Sequence, residues 1–351
     1  MIQVREYGRL PDGRVVHEYR LSNERGLGLT VISYGGIVTA LWVPDASGKS
    51  VNVVLGFDNL DDYLHRNPHF GTLVGRYGNR IARGRFELDG VTHQLDCNDG
   101  PNSLHGGAKG FGSQLWQVEV DGDSSLLLRY TSEDGEQGYP GRLQVKVRYT
   151  LEEASFRIDY EAVCDQQPTL VNLTHHGYFN LAGEGSVLGH TLMIPATRYT
   201  EIDATSIPTG HASVAGTPFD FRVPTVIESR IRQSHPQLLK AKGYDHNWVL
   251  DAPLDGELHL AAALQDPASG RRMEILSTEP AIQFYSGNFL DGSLSGPGGR
   301  IYRQGDGLCL ETQHSPDSPN HAVSEDWPST VLRPGEVYRS TTVHRFSTSA
   351  T

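Results

Sequence analysis

Between Leu143 and Ala162 the chain alternates apolar and polar residues with a strict period of two. Leu143, Val145, Val147, Tyr149 and Leu151 are interleaved with Gln144, Lys146, Arg148 and Thr150, and Phe156, Ile158, Tyr160 and Ala162 with Arg157, Asp159 and Glu161. Successive side chains of an extended chain point to opposite faces, so the pattern predicts two half-buried antiparallel strands joined by the short connection from Glu152 to Ser155. The segments Val15 to Leu21, Leu27 to Ser33, Ile37 to Pro44 and Val51 to Phe57 also read as strands, bounded by glycine or polar turns. A doubly wound α/β sheet would need long amphipathic helices between its strands. Only Val226 to Lys240 resembles a helix, and Pro236 limits it. The 39 glycines and 19 prolines are scattered, as many turns between short strands require. With no repeat, charge run or linker in its 351 residues, the chain is expected to form one all-β domain over residues 1–351.

Charge and cysteine usage narrow the possible partners. A net charge of −12 opposes nucleic acid, whose phosphates require a basic surface, and gives no attraction to an anionic membrane. Cys97, Cys164 and Cys309 are odd in number and far apart, which fits neither a disulfide framework nor a zinc site and favours a reducing compartment. The N-terminus has no apolar signal core and no run is long enough to cross a bilayer, so a cytoplasmic location is expected. The sequon at Asn172 is then coincidental.

Chemistry-bearing residues fall in separate stretches. LVNLTHHGYFNL, Leu170 to Leu181, sets a histidine pair inside a strand-like run, and alternation places Thr174, His176, Tyr178 and Asn180 on one side and His175 and Phe179 on the other. A histidine held by neighbours exchanges a proton near neutral pH, although a core histidine with satisfied nitrogens is the commoner occurrence. In HFGTLVGRYGNRIARGRF, Asn79 and Arg80 precede apolar Ile81 and Ala82, which suggests an inward-facing set of donors. His105 lies at the centre of the glycine-rich loop from Asp96 to Gly112, whose glycines match no phosphate-binding motif. Asp245 stands at a strand entry in GYDHNWVL, and Gln283 shares a face with Tyr285 in AIQFYSGNFLDG. Glu311 interrupts Leu308-Cys309-Leu310, and a carboxylate in a strand headed for the core needs an occupant. Cys309 shares its face and reads first as a small buried residue.

One pocket gathering these groups would be rich in neutral donors and acceptors with few charges, as a sugar requires. Metal binding is a rival for the histidines and acids, but no H-E-x-x-H or comparable spacing occurs. In order along nearly the whole chain stand GRYGNRI (75–81), NSLHGG (102–107), HHGYFNLAG (175–183), GYDHNW (243–248), QFYSGNFLDG (283–292) and LETQHSPDSPNH (310–321). Together they resemble the aldose 1-epimerase, or galactose mutarotase, family. The resemblance implies a large antiparallel β-sandwich of the galactose mutarotase-like type and an enzyme that uses neither metal nor organic cofactor. It implies Glu311 as general base and His176 as general acid. Asn79, Arg80, His105, Asp245 and Gln283 would hold the hydroxyls of a small-molecule aldose, with Tyr178 beside the acid. The protein would be a monomer or homodimer. His175 and Gly177 stand where the family usually has asparagine and threonine, and Gly78 where it usually has alanine. A glycoside hydrolase using Glu311 and Asp245, and a non-catalytic sugar-binding protein, are the rival expectations.

Overall fold

The structure, a computed structural model, describes residues 2–348. The alternating pair forms as its pattern dictates: Leu143–Leu151 and Ser155–Cys164 are antiparallel, in register from Leu143 opposite Cys164 to Leu151 opposite Phe156. They sit within a nine-stranded antiparallel sheet that continues through Tyr338–Thr348 and Arg271–Ser277. A six-stranded sheet, running Tyr178–Phe179, Leu308–Gln313, Ala281–Tyr285, Asp245–Val249, Arg198–Ile202 and Pro208–Ser213, packs against it. One apolar cluster joins Val145, Tyr149, Ile158 and Ile275 of the larger sheet to Trp248, Ile282, Phe284 and Leu310 of the smaller. A third sheet of five N-terminal strands, Gln3–Arg9 to Ser50–Asn52, adds Leu29, Val31, Leu41 and Val43 to the same cluster. The all-β antiparallel sandwich expected from the sequence is the fold observed.

Two local expectations are corrected. The stretch from Val226 to Lys240 is not one helix but two short ones, Glu228–Ile231 and Pro236–Ala241, with Val226 itself in the strand Thr225–Val226. Pro236 opens the second helix instead of ending the first, because a first-turn position has no use for the missing N–H, and His235 caps it by accepting from Gln237 N–H. The segment Val51 to Phe57 keeps ladder pairing only over Ser50–Asn52. The chain then turns inward, where Val54 bridges Phe179.

Candidate active site

The floor of the site follows from register in the six-stranded sheet. Ala281–Tyr285 lies between Asp245–Val249 and Leu308–Gln313, with Asn247, Gln283 and Glu311 aligned across the three strands and Asp245, Tyr285 and Cys309 in the next row. Registered antiparallel residues share a face. The polar rows therefore line one side of the sheet while Trp248, Ile282, Phe284 and Leu310 fill the core on the other. Period two is what lets one strand serve both surfaces.

His176 comes from outside this sheet. The stretch from Leu170 to Leu181 is not a single strand: Thr174–His176 pairs with Thr72–Val74, and Tyr178–Phe179 pairs with Leu308–Gln313. Gly177 lies at the crossing, where a side chain would press the Phe179 ring at 3.0 Å and His175 at 3.3 Å. The alternation across the histidine pair survives. His176 faces the cleft, and His175 is buried on the opposite side near Tyr149 and Phe156, its ring centroid 6.1 Å from each.

The third wall is loop. Asn79 (φ 66°), His105 (φ 52°) and His69 (φ 71°) all adopt left-handed backbone that non-glycine residues seldom take, and such conformations concentrate at functional sites. They bring three imidazoles together: His105 lies edge-on to His176 at 5.0 Å and to His69 at 4.8 Å, and His69 lies 5.5 Å from His176. The Tyr178 ring stacks on His176 at 5.1 Å.

His176 Nε2 stands 3.7 Å from Glu311 Oε1, and both residues are buried. Glu311 Oε2 has no protein partner. Burial and the nearby Asp245 carboxylate push the Glu311 carboxyl well above its ordinary range, with Arg80 opposing. Burial and His69 push the His176 imidazole well below its usual value. Arg80 is anchored by a 2.7 Å bond from Nε to Asp99 Oδ2, and Gln283 Nε2 donates to Asp245 Oδ1 at 2.7 Å. The Asn79 backbone N–H donates to His105 Nδ1 at 3.1 Å, so the neutral ring carries its proton on Nε2.

The ligand atoms of His105, His176 and Glu311 lie within 4.8 Å of one another, a spacing a metal ion could bridge. The donor set fits poorly. The Asn79 N–H already occupies the His105 lone pair, which leaves that ring a hydrogen-bond donor at its other nitrogen. The arrangement suits neutral hydroxyl groups better than a cation.

A cleft of about 750 Å³ is lined by Asn79, Arg80, His105, His176, Tyr178, Asp245 and Glu311, with Gln283 beneath it. The residues selected from sequence thus converge. Tyr178 contributes its ring face, since its hydroxyl donates to the Pro68 carbonyl at 3.0 Å. Arg76 belongs elsewhere: it is fully buried and donates to Ser132, Glu133, Pro140, Gly141 and Thr169. Sequence reasoning missed His69, which burial holds neutral with a pKa of about 4, and Asp99, the anchor of Arg80. His69 begins the same glycine-rich segment as Asn79 and Arg80, and its proximity to them was the available signal.

The sequence matches the aldose 1-epimerase family over residues 17–345. The chain belongs to the aldose 1-epimerase family. Within this family it is 45% identical over 345 residues to the galactose mutarotase of Mus musculus, spanning 97% of each chain. It is 40% identical over 341 residues to the aldose 1-epimerase of Escherichia coli K12, spanning 96% of each. Solved structures agree. An aldose epimerase homologue from C. elegans superimposes with a TM-score of 0.86 at 30% identity, covering 94% of this chain and 98% of that one. Galactose 1-epimerase from Lactobacillus acidophilus gives 0.85 at 28% identity, covering 100% and 99%. As an aldose 1-epimerase family member the protein is an enzyme of the isomerase class with a galactose mutarotase-like sandwich.

Proposed function

We propose that the enzyme interconverts the α and β anomers of free aldohexoses such as galactose and glucose, with Glu311 and His176 exchanging protons with the two oxygens of the hemiacetal. The observation that carries this reading is the 3.7 Å approach of His176 Nε2 to Glu311 Oε1 inside a buried cleft.

The two groups share one proton between them. With that proton on His176, the Glu311 carboxylate removes the proton of the anomeric hydroxyl while the imidazolium protonates the ring oxygen, and the hemiacetal opens to an aldehyde. The proton now rests on Glu311 and the imidazole is neutral, the form that burial of both groups favours. Rotation about the C1 to C2 bond presents the other carbonyl face to the C5 hydroxyl. His176 then takes the proton from that hydroxyl, Glu311 returns its own to the carbonyl oxygen, and the ring closes as either anomer. Each step restores the reactant for the other, so no covalent intermediate is required.

Positioning comes from the surrounding groups. Arg80 fixed by Asp99, His105 fixed by Asn79, and Asp245 fixed by Gln283 present directed donors and acceptors to sugar hydroxyls. Each positioned proton transfer contributes about 10² to 10⁴ in rate, and holding the hemiacetal oxygens against the two groups adds the gain of orientation. Polarimetry of freshly dissolved α-D-galactose and α-D-glucose tests the reading. Enzyme should hasten the change in rotation without releasing any product from a β-galactoside; glycoside cleavage, or no change in the rotation rate, would refute it.

A further inference from the structure

The imidazole of His176 lies along the strand that carries Glu311. Cys309 and Glu311 are two residues apart on Leu308–Gln313 and project from the same face, so their side chains leave the sheet about 7 Å apart. The ring spans that interval, with Nε2 at Glu311 Oε1 (3.7 Å) and Nδ1 at Cys309 Sγ (3.5 Å). All three side chains are buried. The direction in which His176 can deliver a proton therefore depends on what happens at its other nitrogen.

A thiol suits that nitrogen in both of its states. When the imidazole is neutral after giving up its Nε2 proton, Nδ1 keeps its own proton and donates it to a sulfur lone pair, which leaves Nε2 free to take the proton of the C5 hydroxyl. When the imidazole is charged, the same lone pair still accepts from Nδ1–H. An apolar residue of the same size would accept in neither state: the neutral ring could escape by moving its proton to Nε2, but the charged ring would keep a buried Nδ1–H without an acceptor.

We propose that Cys309 is a positioning residue for the proton donor, its thiol holding the Nδ1 edge of His176 through both protonation states of the ring. The proposal rests on the reading of His176 as the proton-transfer partner of Glu311. Around the ring stand His69 and His105, the Tyr178 ring on its face, and Glu311; His175 on the same strand points the other way. Asp245 and Arg80 complete the charged groups of the cleft, and the Tyr285 phenol lies opposite Cys309 in the sheet.

The test compares Cys309→Ser, which retains a group able to donate and accept, with Cys309→Val, which fills the space without hydrogen bonding, and with Cys309→Ala. Loss of the acceptor should penalise the imidazolium most. In the Val and Ala variants kcat should fall about tenfold with KM little changed, and the acid limb of the kcat/KM profile should move about one pH unit lower while the alkaline limb stays. Ser should return both toward wild type. Nitrogen-15 NMR of labelled histidine, with the His176 signals assigned by their loss in His176→Asn, reads the tautomer without reference to turnover. Nδ1 should carry the proton of the neutral ring in wild type and the Ser variant, and Nε2 should carry it in Val. Val matching wild type in tautomer and pH profile, or Ser matching Val, would overturn the proposal. An active His176→Asn would instead remove the acid role and leave the NMR comparison to decide the role of the thiol.

Discussion

His176 Nε2 and Glu311 Oε1 face each other at 3.7 Å although their strands belong to different sheets and lie 135 positions apart in sequence (311 − 176). Burial drives the two groups in opposite senses, the carboxyl up from 4.5 and the imidazole down from 6.5. Both shifts favour the neutral carboxylic acid beside the neutral imidazole.

A bell-shaped profile of kcat/KM follows. In the proposed exchange the productive pair has one proton. On the acid side a second proton enters the imidazole, at a pH below 6.5 because burial opposes its charge. On the alkaline side the last proton leaves, at a pH well above 4.5 because burial and Asp245 both oppose the carboxylate. Asp245→Asn removes one of those opposing charges and should move the alkaline limb to lower pH. A profile with its acid midpoint at or above 6.5 would contradict the assignment.

His175 supplies the internal comparison. It lies on the core side near Tyr149 and Phe156, and neither of its ring nitrogens has a partner. Burial lowers its pKa to about 3, so it stays neutral there. His175→Leu should leave turnover within about twofold and raise thermal stability by about 1 kcal/mol, since it removes unpaired buried polar atoms. A large loss of kcat with unchanged melting would place His175 in the chemistry.

Asp99 is accessible at the rim yet holds Arg80 Nε at 2.7 Å. Asp99→Ala should free the guanidinium, raising KM for galactose about tenfold with a smaller effect on kcat, the value of one charge-assisted hydrogen bond. Steady-state polarimetry separates the two parameters. An unchanged KM would mean that Arg80 needs no anchor.

The two arginines of GRYGNRI show where sequence stops being informative. Arg76 and Arg80 are four residues apart in a glycine-rich segment with no fixed period, so strand and helix geometry place neither; the apolar Ile81 and Ala82 after Arg80 pointed it to the site, while nothing local told the fate of Arg76. The structure sends Arg76 into the interior, against carbonyls of Ser132, Glu133, Pro140 and Gly141, and Arg80 to the cleft. By contrast the strands from Leu143 to Cys164 and the outlier Glu311 were legible, because a period of two fixes a face whatever the strand pairs with. The histidine pair was half legible. Alternation separated His175 from His176, but the crossing between sheets at Gly177 depends on the Phe179 ring packed against it, which no local pattern announces. His69 escaped notice because its position depends on a left-handed turn conformation and not on a periodic face.

Arg76→Met should accordingly be a stability variant. It leaves those buried carbonyls and the Ser132 and Thr169 hydroxyls without their donor, at a cost of about 3 to 5 kcal/mol. Denaturant unfolding measures the loss, and activity per folded molecule should stay near wild type. A stable but inactive variant would place Arg76 in the site.

The central claim is tested most directly by polarimetry of freshly dissolved α-D-galactose with Glu311→Gln and His176→Asn, alongside calorimetric binding of the same sugar. Each variant should fold, bind galactose, and turn over about 10² to 10⁴ times more slowly than wild type. A wild-type rate in either variant would contradict the proton exchange between these two residues.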